Sequence, residues 1–115
     1  MQKSNKSIAG YHLLMILSMV DYKFNADEEL VIKDYMATEF PFRMNLDDEM
    51  EKIAALQPFE WRDHFTFHAQ CFCEDSTEEE RKNFFEFAQA LVGADGELDP
   101  REDEYLEILK STCNL

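Results

Sequence analysis

Glycine, proline and cysteine are all scarce, at three apiece in 115 residues. So few backbone punctuators exclude a collagen-like or Pro/Gly-rich low-complexity chain and disfavour a turn-dense β fold. The three cysteines are odd in number, and Cys71 and Cys73 nearly adjoin. That pattern suggests no disulfide framework, so a reducing, cytoplasmic compartment is expected. Cations are also few: 11 Lys and Arg face 25 Asp and Glu, a formal net charge of -14. Such a chain repels phosphate backbones and anionic headgroups, so neither nucleic acid nor a membrane surface is an expected partner.

No apolar run reaches the roughly 20 residues that span a bilayer. The longest, Ile8 to Val20, follows Lys3 and Lys6 in the manner of a secretory signal. It is interrupted by His12 and Ser18, however, and Asp21, Tyr22 and Lys23 after it offer no small-residue cleavage site. There is likewise no phosphate-cradling Gly-rich loop, no G-x-S-x-G elbow and no Cys/His pair in a catalytic context. A binding role is expected in place of catalysis.

Hydrophobic residues make up 45% of the chain and include ten Phe, enough to build one continuous core. A single domain over residues 1–115 is expected, and the apolar spacing of three and four makes it an all-α bundle of about six to seven helices. The first segment, about Ile8 to Tyr22, is apolar on nearly every side and so reads as a helix buried on more than one face. Asn25, three residues before Glu28, opens a second helix to about Glu39, with Val31, Ile32, Tyr35 and Met36 as its inner stripe. Phe40, Pro41 and Phe42 break the pattern. A short helix from Leu46 to Leu56 follows, capped by Asn45. Pro58 suits the first turn of a helix to about Cys73 carrying Phe59, Trp61, Phe65 and Phe72. Ser76 and Thr77 ahead of Glu79 and Glu80 start a helix to about Ala94, with Phe84, Phe87, Ala88 and Leu91 on one face. Asp99, Pro100 and Glu102 start the last, which buries Tyr105, Leu106, Ile108 and Leu109.

The acids gather at Asp47 to Glu51, Glu74 to Glu80 and Glu97 to Glu107, as solvated helix faces and first turns or as a surface for cations or a basic protein. Two stretches also repeat. Leu17, Val20, Asp21, Phe24, Asn25, Glu28 and Ile32 align at one constant offset with Leu91, Ala94, Asp95, Leu98, Asp99, Glu102 and Leu106. Residues 8–39 and 77–113 thus form two copies of a helix, a turn opening on an aspartate, and a capped helix. Asp21 and Asp95 each continue a core-facing stripe at a helix C-terminus, where the dipole and burial both disfavour an anion. Compensation comes either from hydrogen bonds within the turn or from a hard cation. The cation set is Asp95, Asp99 and Glu102 with Glu97, and in the first copy Asp21, Asn25 and Glu28. These are not EF-hands: counted from Asp95, Pro100 stands where that loop needs Gly, and Leu106 where it needs Glu.

The stretch ALVGADGELDPREDEYLEIL, from Ala90 to Leu109, resembles the signature of the TerB-like superfamily, which includes tellurite-resistance TerB proteins and the N-terminal domain of the DjlA co-chaperone. The first copy departs from that pattern, with Tyr22 in place of Gly and Lys23 where the second has Glu97. The resemblance implies a cytoplasmic, non-enzymatic helical module linked to stress or tellurite resistance. It also implies weak Ca²⁺ or Mg²⁺ sites at the acidic turns and a protein partner docked on its helices.

A second metal arrangement is independent of the resemblance. His64, His68 and Cys71 recur at i, i+4 and i+7 on one helix face, and imidazole and thiolate both suit zinc if a fourth ligand comes from elsewhere. The plainer reading of the same residues is partly exposed hydrogen-bonding histidines and small core-filling cysteines. Trp61 and Met44 are candidates for an exposed docking patch.

Overall fold

The computed structural model describes residues 5–20, 26–39, 46–93 and 100–115. Within them the chain is all-α, as its periodicity requires: α1 (Lys6–Met19), α2 (Ala26–Glu39), α3 (Leu46–Ala54), α4 (Trp61–Asp75), α5 (Glu78–Gly93) and α6 (Pro100–Thr112). A 3-10 turn, Pro58–Glu60, leads into α4. No strand occurs among the described residues, and none of their helices is long and apolar enough to cross a membrane.

The caps explain where helices begin. Asn5 accepts a hydrogen bond from the Ile8 amide at 2.9 Å and starts α1. At α5, Thr77 Oγ1 accepts from the Glu80 amide at 3.1 Å while Glu80 accepts from the Thr77 amide at 2.9 Å, the reciprocal box read from the sequence. Lys6 then pairs with Glu80 at 2.7 Å and ties the start of α1 to that of α5. Beyond α6, Asn114 takes a left-handed φ of 58° that lets the Leu115 amide return to the Lys110 carbonyl at 3.0 Å.

α1 is the axis of the bundle and touches all five other helices. Every residue from Ala9 to Ser18 is buried, because an all-round apolar helix finds its minimum only when surrounded. Gly10 marks its closest approach: a Cβ there would stand 3.2 Å from Met36 Cε and 3.3 Å from Phe84 Cε2. α4 lies alongside and buries Trp61, Phe65, Ala69 and Phe72. α6 adds Tyr105, Leu106 and Leu109, with Ile108 half-buried at the margin. On α5, Phe84 and Ala88 enter the core while Phe87 and Leu91 flank it.

Several expectations are corrected. Val31 is 48% exposed, so the inner stripe of α2 is Ile32 and Met36, with Tyr35 half-buried against Phe87. Phe59 is 83% exposed on the 3-10 turn, whereas Trp61 is only 7% exposed and so forms no exposed docking patch. Glu49 departs from the solvated reading of the Asp47 to Glu51 run, at 7% exposure. The absence of a disulfide is also overturned, since Cys73 and Cys113 are bonded and join the C-terminal ends of α4 and α6, while Cys71 is free and buried. Two cysteines distant in sequence are brought within bonding reach by packing alone. The cytoplasmic expectation thereby loses the cysteine argument that carried it.

Candidate metal centre

His12 is the misfit of α1: an imidazole, 2% exposed, in the middle of the most apolar segment of the chain. Leaving such a group unpaired costs about 1–3 kcal/mol, so its surroundings must answer its two nitrogens. Both are answered. Nε2 lies 2.8 Å from Glu49 Oε1 on α3, and Nδ1 lies 2.8 Å from His64 Nε2 on α4.

The pairing fixes the proton positions. A carboxylate only accepts, so His12 Nε2–H donates to Glu49. Neutral His12 then offers Nδ1 as an acceptor, and His64 Nε2–H donates to it. His68, one turn after His64 on the same helix, completes the group. Its ring stacks on His12 with centroids 4.4 Å apart and meets His64 at 4.3 Å. One ligand nitrogen from each of His12, His64 and His68 falls within 4.8 Å of the other two. The ligand nitrogens of tetrahedral zinc stand about 3.3 Å apart, a separation of the same order.

The electrostatics favour neutral, coordinating imidazoles. Burial pushes His64 down to about 4, with the charge of His12 adding to the effect and Glu60 opposing it. Burial likewise lowers His68 to about 3, reinforced by its two histidine neighbours. His12 is lowered by burial as well, though the hydrogen bond to Glu49 pulls the other way. Burial works to raise the Glu49 carboxyl, but hydrogen bonds from His12 and from Lys52, at 2.9 Å, outweigh it and hold the group below the usual carboxylate range. Glu49 is thus an anion that props the far nitrogen of His12, the kind of contact by which metalloproteins orient imidazole and raise its basicity.

Of the zinc set read from the sequence, His64 and His68 come together and Cys71 does not. Seven residues at 1.5 Å rise put Cys71 about 10 Å along the axis from His64, too far to share one ion. Its place is taken by His12 from the facing helix, and neither His12 nor Glu49 was among the residues singled out as ligands. The available signal was an imidazole inside a run of Leu, Met and Ile, which demands a partner. Of the acidic-turn set, Asp21, Asn25, Asp95, Glu97 and Asp99 lie outside the described residues. Glu28 is half-buried in the first turn of α2, and Glu102 is 4% exposed in the first turn of α6. Neither belongs to the histidine centre.

No known family, curated protein or solved structure matches this chain.

Proposed function

We propose that this protein is a helical metal-binding module that holds one first-row transition-metal ion, zinc in the first instance, between α1 and α4. The observation that carries the reading is the convergence of His12, His64 and His68 from two helices, with one nitrogen of each within 4.8 Å of the others. Three imidazoles suit Zn²⁺, Co²⁺, Ni²⁺ or Cu²⁺ and disfavour Ca²⁺ and Mg²⁺, which take oxygen ligands. The Glu49 carboxylate behind His12 is the second support, because such outer partners are what distinguish a built site from a chance cluster. The ion's first effect is to clamp α1 to α4, in a module that serves interaction and not catalysis. That wider role agrees with what the TerB-like resemblance implies.

Titration of the metal-stripped protein with zinc against a chromophoric chelator tests the reading. One zinc per chain is expected, with affinity reduced at least a hundredfold in His64→Gln and unchanged in Cys71→Ser. His64 is the variant of choice because, being half-buried, it is the most exposed of the three histidines and the least needed by the core. Equal zinc binding by wild type and His64→Gln overturns the proposal.

A separate reading, a weak Ca²⁺ or Mg²⁺ site at the second acidic turn, rests on the sequence set Asp95, Asp99 and Glu102. It predicts a rise in thermal midpoint with millimolar Ca²⁺ that Asp95→Asn abolishes and His64→Gln leaves intact.

A further inference from the structure

We infer that the ion held by His12, His64 and His68 keeps one coordination position for a small anion from solution, which makes the centre a receptor for a monodentate anionic ligand. This rests on the metal-binding reading above and concerns what the bound ion does.

The first argument is the donor count. Among the described residues only three side chains of metal-binding type converge, one short of the four that close a structural zinc site. Sites with three protein ligands keep a position for water or another small molecule.

The second argument is that nearby donors are committed elsewhere. Glu49 uses both oxygens, Oε1 on His12 Nε2 at 2.8 Å and Oε2 on Lys52 Nζ at 2.9 Å. To become a ligand it would have to abandon the ring it supports. Glu60, whose charge acts on His64, accepts the Gln57 amide at 2.9 Å as the cap of the 3-10 turn. Cys71 lies one turn beyond His68 and is turned into the core at 4% exposure.

Charge supplies the third argument. Imidazoles coordinate as neutral donors, so the ion would retain its full 2+. The Glu49 carboxylate lies behind His12, and Lys52 shares its charge. A divalent ion with three neutral ligands prefers an anion, hydroxide included, in its fourth position. Half-buried His64 is the side from which such a ligand reaches the ion, since His12 and His68 are only 2% and 5% exposed.

The test uses the whole chain loaded with Co²⁺, whose visible absorption reports the ligand set, and azide as the probe anion. Addition of azide is expected to shift the visible bands and to saturate at one azide per chain. Glu60→Gln and Cys71→Ser are expected to show the wild-type spectrum before azide and the same shift after it. A Co²⁺ spectrum that forms but ignores azide overturns this inference alone. A variant that alters the azide-free spectrum does so too, by identifying a fourth protein ligand. If wild type develops no Co²⁺ bands at all, the metal-binding reading fails and this inference falls with it.

Discussion

Glu49→Gln separates a carboxylate that supports the centre from one that belongs to it. Glutamine keeps the size of the side chain, and its amide oxygen can still accept from His12 Nε2–H at the site where Glu49 now sits 2.8 Å away. What disappears is the negative charge. A charge-assisted bond becomes a neutral one, His12 loses basicity at Nδ1, and metal affinity falls by about 10- to 100-fold, the usual effect of removing an outer-sphere partner. Each factor of ten is about 1.4 kcal/mol of binding free energy. The metal-free fold should change far less, because the lost attraction is offset by relief from burying a carboxylate that is only 7% exposed. Lys52 also loses its partner at little cost, since its side chain is 66% exposed to water. Competition with a chromophoric chelator at pH 7.5 measures the affinity, and the stoichiometry should stay at one ion per chain. An affinity unchanged within about twofold would refute the supporting role. A loss as complete as that of His64→Gln would refute it from the other side, by making Glu49 a ligand.

Other outcomes follow from the same geometry. The Cys73–Cys113 bond closes a loop with a sequence separation of 40, so its reduction should cost about 4 kcal/mol in the chain-entropy account. At the usual unfolding entropy per residue that is a fall of about 15 °C in thermal midpoint, and an unchanged midpoint in dithiothreitol would remove the cross-link from the native protein. Acid should destabilise the metal-free fold, since burial holds His64 at about 4 against 6.5 when exposed. Its contribution is full above pH 6.5 and declines as pH falls towards 4, reaching a loss of about 2 kcal/mol at pH 5. Urea unfolding at pH 7.5 and 5 should show His64→Gln with the shallower decline; equal declines would contradict the assignment. Tyr11 carries a fully buried hydroxyl without a hydrogen-bond partner among the described residues, so Tyr11→Phe should raise stability by about 1 kcal/mol in the same assay.

Local chemistry made most of the helices readable. The Thr77 and Glu80 pairing that opens α5 and the Phe84 and Ala88 stripe that follows depend on spacings of three and four within one segment. The failures have equally local causes. Val31 and Ile32 adjoin, and which of two neighbouring apolar residues faces inward depends on the helix to be met. Glu49 hides in an acidic run because three of every four residues there are solvated, and the fourth turns inward with Ile53 one turn later. Two histidines of the cluster were visible because both lie on α4. The third was not, because intrahelical spacing carries no information about a facing helix.

By itself the sequence determined that this chain forms capped helices around an apolar axis, that none of the described helices is long and apolar enough to cross a membrane, and that His12 interrupts the most apolar of them. Periodicity and capping are properties of neighbours along the chain, and they survive without knowledge of the fold. Only the tertiary structure decided which groups His12 meets. Packing α1 against α3 and α4 brought His12 to Glu49 and to His64 and His68, and packing α4 against α6 brought Cys73 to Cys113. The reason is physical: the hydrophobic effect that drives helices together is non-directional, so it is the detailed fit of their surfaces that selects which polar groups meet inside.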